Sequence, residues 1–492
     1  MGSTVDVDSW NPYVSQQAFA SDVLRRIFLP LAGELPAEGA RQEFAPRLAE
    51  SWSVSEDARA LTFVLREGVW SDGVPITSDD VRFTWMAQTA EGVPWIDAAR
   101  KARIRDVVVV DARTVRFEFD GAYPGQLADA VEGPILPRHR FGEVPFDAWA
   151  RHAWSSADVG SGPFLLERHA PGHEIVLKRN PRAAGQGPWL DRIVVRIVPD
   201  MANLVTQLRA GQLDYVEGLP PREAAALAKH EGLTLVAFDQ PSYDYLGWNA
   251  ARPPLDDPDL RRALTLAIDR QALVDSLLFG YGRVSAGPVL SFWWAADPSL
   301  APLPHDPDAA RRILLDRGLR VRDRTGALSG GRELALTVLT QDASELRMQA
   351  LLAIQEQLAR VGVRVEIRPM EMRAMRQRIA ASDYDGYVGS WVYSVQDLAS
   401  VFRSDAAPPQ GANLVAYASS AADEALDRAA RAESLEAMRQ ALLAFQRTVQ
   451  QDQPYTFLYE RQRLAAHGPR VAGLVIETPS DPLAALEGAW LR

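Results

Sequence analysis

The sequence predicts an α/β protein with more than one domain. Its 492 residues are too many for a single hydrophobic core, so two or three domains are expected. Residues 60–85 show strand periodicity, a tight turn and a capped helix in succession. Residues 351–367 show one apolar helix face, then Gly362, then an alternating strand, which indicates the helix-to-strand unit of a mainly parallel, open sheet.

The composition is that of a folded protein and excludes several classes. Lys and Arg number 53 against 64 Asp and Glu, a net charge of −11, and there is no basic run, so nucleic acid is not expected as a partner. There are no cysteines, which excludes disulfides and thiol chemistry. The seven histidines show no HxxH or HExxH spacing, so we expect no metal site and no cofactor. No apolar run reaches the roughly 18 residues that a membrane span needs.

The most informative stretch is residues 48–85, LAESWSVSEDARALTFVLREGVWSDGVPITSDDVRFTW. Its segment Ala60–Arg66 alternates apolar and polar residues, which predicts a strand. The sequence Ser71-Asp72-Gly73 predicts a turn. Thr77, followed three residues later by Asp80, is a near capping box, which predicts the start of a helix.

This stretch resembles the signature of the family 5 extracellular solute-binding proteins, the oligopeptide, dipeptide and nickel receptors of ABC importers. Further segments match the family in order: GSGPF at 160–164, LRAGQLDYV at 208–216, YLGWN at 245–249, YDGYVGSW at 384–391 and PYTFLY at 454–459. The resemblance covers nearly the whole chain. It identifies the chain as a member of this family.

The resemblance implies an α/β, two-lobed periplasmic-binding-protein fold of type II, in its large peptide-receptor subclass, with an inserted α/β subdomain. The implied division is a first lobe at 1–40, 158–248 and 463–492, the inserted subdomain at 41–157 and a second lobe at 249–462. The implied function is a receptor that captures a small ligand in an interlobe cleft by hinge closure and delivers it to a membrane permease. Such a receptor is expected to be a monomer.

The resemblance also implies export to the periplasm or cell surface, as a secreted protein or a lipoprotein. The first residues, MGSTVDVDSWNPY, have no charged n-region and no apolar h-region, so they are not a signal peptide. We therefore expect that a native signal has been trimmed and that Met1-Gly2-Ser3 is a start added in its place.

Aromatic side chains supply the candidate binding surface, because their faces bind peptide side chains, sugars and apolar groups with little loss of entropy. The chain has 13 Trp, of which Trp52, Trp85 and Trp149 are expected in the core. The resemblance places other aromatic and polar residues at the cleft. The candidate ligand-binding residues are Tyr13, Gln16, Gln17, Tyr245, Phe292, Trp293, Trp391, Tyr393, Ser394 and Asp397.

The segment after Trp391 departs from the family pattern. Peptide receptors that resemble it carry an aspartate that pairs with the ligand's α-ammonium, and Ser394 holds that position here, while Asp397 matches a later aspartate. A serine carries no countercharge for a buried ammonium. An oligopeptide or peptide-like ligand is the expectation from the family, and an oligosaccharide, a glycoside or another non-peptide ligand is the alternative.

The sequence shows no catalytic constellation. There is no GxSxG motif, and His139 has no acid or nucleophile beside it in the sequence, which favours a structural role. A hydrolase that uses a pair of carboxylates is the remote alternative, since any two of the many carboxylates could meet in space. The resemblance implies binding without turnover, so we expect that the protein is not an enzyme.

Overall fold

A computed structural model describes residues 1–35, 43–155, 157–183, 187–392, 398–476 and 481–492. The chain divides into two compact units: the first comprises Met1–Phe238 and Leu464–Arg492, and the second comprises Asp239–Arg463. The lobe boundaries expected from the sequence were 248/249 and 462/463, and the division into five segments stays a prediction. Within the described ranges, no helix combines the length and the apolar character that a membrane span requires.

Strands and helices alternate along the described ranges. The strands are β1 (Gly2–Ser3), β2 (Ala32–Glu34), β3 (Phe44–Pro46), β4 (Ala49–Val54), β5 (Ala60–Leu65), β6 (Ile104–Val109), β7 (Thr114–Phe119), β8 (Phe164–Ala170), β9 (Glu174–Arg179), β10 (Arg192–Ile197), β11 (Tyr215–Glu217), β12 (Thr234–Trp248), β13 (Gly282–Val284), β14 (Val321–Arg322), β15 (Leu328–Ser329), β16 (Leu334–Gln341), β17 (Val363–Met370), β18 (Gly386–Val392), β19 (Tyr455–His467), β20 (Val471–Ala472) and β21 (Trp490–Leu491). The helices are α1 (Ala18–Ile27), α2 (Ser78–Thr89), α3 (Gln126–Val131), α4 (Arg138–Phe141), α5 (Met201–Arg209), α6 (Pro221–Leu227), α7 (Pro258–Ala267), α8 (Arg270–Leu277), α9 (Pro307–Asp316), α10 (Glu345–Ala359), α11 (Met372–Ala380), α12 (Leu398–Phe402), α13 (Ser420–Ala430), α14 (Leu435–Asp452) and α15 (Ala485–Gly488). Short 3-10 helices span Ala98–Lys101, Phe146–Ala148 and Pro482–Ala484.

The first unit contains a mixed sheet in the order β8, β9, β10, β1, β11. β1 runs parallel to β10 and β11, whereas β8, β9 and β10 are joined as antiparallel neighbours. The last residues of β19, 465–467, pair antiparallel with β11. The end of the chain therefore belongs to the first unit.

A separate four-stranded antiparallel sheet, ordered β4, β5, β7, β6, also lies in the first unit. β5 buries Leu61, Phe63 and Leu65, the face that the sequence periodicity predicts. β6 and β7 form a hairpin around residues 111–113, which the alternation of apolar and polar residues over 107–119 predicts. Local sequence patterns therefore predicted this sheet well.

The Asp80 carboxylate organises the start of α2. It accepts the backbone N–H of Thr77 at 2.9 Å, which is one half of the predicted capping box. It also accepts the backbone N–H of Arg138 at 2.8 Å and the indole N–H of Trp70 at 3.3 Å. Burial raises the pKa of Asp80, although these three donors favour the ionised form. One carboxylate thus joins the turn, α2 and the segment that leads into α4.

α1 ends earlier than the sequence periodicity indicates. The spacing of Phe19, Val23, Ile27 and Leu31 predicts one apolar helix face. Val23 and Ile27 lie in the core, but Leu31 lies beyond the helix, in a buried position. Phe28 is already extended, and Pro30 prevents a helix from continuing to Leu31, because proline cannot donate an N–H and disfavours helical geometry in the residue before it.

Gly160 and Gly162 pack against the end of α1. The N–H of Gly162 donates to the carbonyl oxygen of Ile27 at 2.7 Å. A Cβ on Gly160 would lie 2.4 Å from the same oxygen, and one on Gly162 would lie 2.3 Å from the carbonyl oxygen of Arg26. Only glycine permits this approach. The segment therefore packs against the last turn of α1.

The second unit contains a mixed sheet in the order β17, β16, β18, β12, β19, with β13 beside β19. β16 is parallel to β17 and β18, and β16, α10 and β17 form the predicted helix-to-strand unit. β12 is antiparallel to β18, and β13 is antiparallel to β19. The sheet is thus only partly parallel, a difference that side-chain periodicity cannot reveal because it does not encode strand direction.

Candidate functional site in the second unit

β12 and β18 position the candidate site. Their antiparallel register places Asp244 opposite Ser390 and Tyr245 opposite Gly389. Because successive side chains on a strand point to opposite faces, Asp244 and Ser390 share one face, and Tyr245 lies on the other. The strand pair therefore carries a charged face and an aromatic face.

Tyr245 is the centre of the aromatic face and is only 3% exposed. Its ring stacks on Trp391 with 6.1 Å between centroids and meets Tyr455 edge-on at 4.6 Å. Its hydroxyl lies 3.2 Å from the hydroxyl of Tyr387. A Cβ at residue 389 would lie 2.6 Å from the Tyr245 hydroxyl, so Gly389 makes room for this ring. The Tyr245 ring therefore packs against one face of the Trp391 ring.

Three further predicted residues border the same aromatic cluster. Phe292, Trp293 and Trp391 are half-buried and pack against the buried cluster to which Tyr245 belongs. Phe292 and Trp293 lie in the segment between β13 and α9, which we call the aromatic loop (residues 285–303). Four of the predicted residues thus belong to or border one hydrophobic cluster, and three of them keep exposed surface.

The charged face is built around the buried carboxylate of Asp244, which is 2% exposed. The Nε atoms of Arg461 and Arg347 lie 2.7 Å and 3.9 Å from its oxygens. Burial raises the pKa of Asp244, although both guanidinium groups oppose this shift. Arg347 also donates to the hydroxyl of Ser390 at 2.8 Å, so it lies beside the residue that precedes Trp391.

The candidates from the start of the chain belong to the first unit. Tyr13 is fully buried, and its hydroxyl donates to the carbonyl oxygen of Pro134. Gln16 is exposed and donates to the carbonyl oxygen of Pro94 at 3.1 Å. Gln17 is exposed directly before α1. The structure thus gives Tyr13 a packing role, and ligand contacts by these three residues stay predictions.

The remaining candidates, Tyr393, Ser394 and Asp397, lie outside the described residues. The interpretation of Ser394 as a missing ammonium partner therefore stays a prediction.

His139 has an acidic partner that its sequence surroundings do not reveal. Its Nε2 lies 2.7 Å from the carboxylate of Asp72, in the turn before α2. The neighbouring hydroxyl of Ser71 accepts the N–H of Gly160 at 3.2 Å and donates to the carbonyl oxygen of Asp158 at 3.4 Å. These contacts tie the turn to α4 and to the segment before β8. In the described ranges, no group of three or more His, Cys, Asp or Glu side chains could hold a metal ion.

The sequence reasoning missed the charged residues of the site. Asp244 stands among the aromatic and apolar residues 243–248 at the end of β12, and Glu460 and Arg461 follow the apolar run of β19. A charge inside a buried strand needs a partner, so both positions carried a usable signal. The contact between Arg347 and Ser390 joins residues far apart in the chain and gave no signal in the sequence.

We expect Trp391→Ala to weaken ligand binding by about 1–3 kcal/mol, as for other aromatic anchors. Because Trp391 is half-buried, its loss should destabilise the protein less than Trp248→Ala, which removes a fully buried indole at about 3–5 kcal/mol. Calorimetric titration and thermal melting of both variants provide the comparison. Unchanged affinity together with a Trp248-like loss of stability would assign Trp391 to the core alone.

Comparisons with known proteins agree with this architecture. Oligopeptide-binding protein AppA of Bacillus subtilis is 27% identical over 455 residues, which cover 90% of this chain and 83% of that protein. The probable D,D-dipeptide-binding periplasmic protein DdpA of Escherichia coli is 26% identical, with 87% and 81% covered. The crystal structure of the ABC transporter substrate-binding protein CtaP of Listeria monocytogenes has a TM-score of 0.85 at 20% identity, with 100% and 98% covered.

The fold and these likenesses define an extracytoplasmic substrate-binding receptor of an ABC importer. Residues 43–413 match the family model described as bacterial extracellular solute-binding proteins, family 5 Middle, and the chain belongs to this family. The predictions of the fold class, of the family and of a receptor function are therefore confirmed. Proteins of this family are transport receptors that work with a membrane permease.

Proposed function

We propose that this receptor binds a peptide or peptide-like ligand that carries a carboxylate, and that the second unit supplies the main contacts. Apolar parts of the ligand would pack on Phe292, Trp293 and Trp391, and the carboxylate would pair with Arg347. The names of the relatives support a peptide, since AppA is described as oligopeptide-binding and DdpA as D,D-dipeptide-binding.

The observation that carries the proposal is the contact of the Arg347 guanidinium with Ser390, the residue that precedes Trp391 at the end of β18. The Arg347 side chain is 19% exposed, and it donates to the hydroxyl of Ser390 and to the side-chain oxygen of Gln341 at 3.4 Å. A guanidinium has five N–H donors, more than these two contacts and the ion pair with Asp244 use, and its fork matches a carboxylate. Arg347 can therefore bind an anionic group without leaving its present partners.

The carboxylates near this site are already engaged. Asp244 and Glu460 are each 2% exposed, and arginine or serine donors contact both of them. Such acids are poorly placed to pair with the ammonium of a ligand. The charges of the described site therefore favour recognition of a peptide through its carboxyl end, which agrees with the serine at position 394.

Calorimetric titration with free, N-acetylated and C-amidated di- to pentapeptides tests this proposal. We expect amidation to weaken binding by about 10- to 100-fold, the value of one charge-assisted hydrogen-bonded contact, and acetylation to change it little. Arg347→Gln should remove the preference for the free carboxylate. Arg360→Gln is the matched control, because Arg360 lies at the end of the same helix with an exposed side chain.

Equal affinity for free and amidated peptides would contradict the role of Arg347. Loss of binding on acetylation would show that an acid outside the described residues, such as Asp397, anchors the ammonium instead.

The second candidate is a receptor for an oligosaccharide or glycoside, favoured by the three half-buried aromatic side chains, since sugar rings stack on such faces. Neutral oligosaccharides belong in the same titration panel, and tight binding of one of them, with no peptide bound, would select this function.

We further propose that the receptor is a monomer, secreted or lipid-anchored, and releases its ligand unchanged. Mass spectrometry of the incubated ligand tests the last point, because only an enzyme would yield products.

A further inference from the structure

The two ends of the aromatic loop are held together by the same side chains. The amide nitrogen of Gln450, on α14, donates to the carbonyl oxygens of Ala286 at 3.1 Å and Ala301 at 2.7 Å. The buried guanidinium of Arg270, on α8, donates to the carbonyl oxygens of Ser285 at 3.4 Å and of Leu303. The loop is therefore closed at its base, as in a compact Ω-loop.

The side chain that closes the base of the loop, Arg270, is a buried charge. It is 5% exposed, its third contact is another carbonyl oxygen, that of Phe457 at 2.8 Å, and burial lowers the pKa of its guanidinium to about 10. A buried charge is stable only where hydrogen bonds or a countercharge replace the water that it has lost. Here the hydrogen bonds fix both ends of the segment that carries Phe292 and Trp293.

Helix α14 also fixes the loop after the aromatic pair. Gln446 accepts the N–H of Asp297 at 3.1 Å and donates to the carbonyl oxygen of Ala295 at 2.9 Å. Arg447 donates to the carboxylate of Asp297 at 2.8 Å. The backbone after the aromatic pair is therefore held at Ala295 and at Asp297.

A single carboxylate fixes the loop before the aromatic pair. Glu460, on β19, is 2% exposed. One of its oxygens accepts the backbone N–H of Ser291 at 3.0 Å, and the other accepts the hydroxyl of the same serine at 2.7 Å. Ser291 directly precedes Phe292, so these two bonds set the direction in which the aromatic pair enters the site.

The same carboxylate connects the loop to the strands at the ends of the second unit. Arg283, on β13, lies 3.6 Å from Glu460 and also pairs with Asp239. Asp239 is the first residue of the second unit and belongs to β12, while β19 carries the chain out of the unit after Arg463. The aromatic loop is thus linked through two side chains to both of these strands.

We propose that Glu460 is a positioning residue for ligand binding, which acts by holding Ser291 so that Phe292 and Trp293 present one fixed surface to the ligand. The expected effect on ligand affinity rests on the proposed function. The positioning of the loop does not, because it is a property of the free protein. A prearranged aromatic surface does not have to be ordered when the ligand arrives, so its affinity is higher than that of a mobile loop.

Two substitutions separate positioning from charge. Glu460→Met keeps a similar length and loses both acceptors, so the N–H of Ser291 is left without a partner. Glu460→Gln loses the charge but can keep both contacts, since its oxygen can accept the N–H and its amide can donate to the serine hydroxyl. If Glu460 acts by positioning Ser291, the aromatic loop should stay ordered in Glu460→Gln and become mobile in Glu460→Met. If Glu460 acts by pairing with Arg283, the loop should become mobile in both variants.

Hydrogen exchange of the ligand-free protein measures the positioning. We expect amides of the aromatic loop around Ser291 to exchange about tenfold faster in Glu460→Met and close to the wild-type rate in Glu460→Gln. Ser291→Ala removes only the hydrogen bond of the hydroxyl, so its exchange rate should fall between those of the two Glu460 variants. It replaces Glu460→Met in the test if that variant does not fold. Unchanged exchange in Glu460→Met, or equal acceleration in both Glu460 variants, would overturn the proposal.

Titration with the free di- to pentapeptides then tests the link to binding. We expect the affinity to follow loop exchange across the three variants, about tenfold weaker for methionine and near wild type for glutamine. If exchange follows the expected order while affinity for a bound peptide does not change, the loop is positioned but does not serve the ligand, and the inference fails. If no peptide binds the wild type, the proposed function fails, and the exchange result still decides the positioning.

Discussion

Replacing Asp80 with alanine is expected to lower the free energy of unfolding of the first unit by about 3–5 kcal/mol. The carboxylate is 4% exposed and accepts three N–H donors, from Thr77, Arg138 and Trp70. Each buried donor that loses its acceptor costs about 1–3 kcal/mol, and alanine offers no replacement. Amide exchange of the most protected residues of the four-stranded sheet and α2 measures the loss.

Asp79→Ala is the matched control for this prediction. Asp79 is the exposed neighbour in the same first turn, so its removal loses only a favourable charge near the helix N-terminus, below about 1 kcal/mol. Asp80→Asn should fall between the two, because the amide keeps one acceptor oxygen. Equal effects of Asp79→Ala and Asp80→Ala would show that the three contacts contribute nothing to stability.

Asp80 also shows how far local sequence reasoning reaches. The spacing of Thr77 and Asp80 predicts the start of α2, and the structure confirms it. The same spacing contains nothing about Trp70 and Arg138, whose contacts depend on the folding of the turn and of the segment before α4. Periodicity and capping are encoded over a few residues, and such features were predicted well.

Features that depend on distant parts of the chain were predicted less well. Leu31 was assigned to α1 because it continues the apolar spacing, although the helix ends at Ile27, where the distant Gly162 donates its N–H to the Ile27 carbonyl oxygen. The direction of β12 against β18 was not predicted, because antiparallel and parallel strands can share one periodicity. For such features, a pattern shows which residues are buried and leaves their neighbours undetermined.

The same difference between local and distant features separates the site residues that were predicted from those that were missed. The aromatic members Tyr245 and Trp391 were predicted from the family resemblance, and the structure stacks them. Arg347 was missed, because it reaches the site from α10 and its partner Ser390 lies on β18. An arginine in a helix looks the same in sequence whether it is exposed, like Arg360, or half-buried at a site.

The second large effect is expected at Arg26, where Arg26→Met should lower the free energy of unfolding of the first unit by about 3–5 kcal/mol. The guanidinium side chain is 3% exposed and pairs with Asp481 and Glu487, which follow β20 near the end of the chain. Methionine fills a similar volume, so the loss comes from two partly buried carboxylates that no longer have a countercharge. Exchange of the protected amides of α1 measures it.

A more exposed arginine and the two acids provide the controls. Arg47→Met removes a side chain that is 40% exposed and lies 3.6 Å from the same Glu487, and it should cost less than about 1 kcal/mol. Adding Asp481→Asn and Glu487→Gln to Arg26→Met should recover most of the lost stability, because the remaining groups are neutral and of similar shape. Limited proteolysis should release the end of the chain faster in Arg26→Met than in this triple variant. A triple variant no more stable than Arg26→Met would show that the arginine stabilises α1 through packing of its stem and not through the ion pairs.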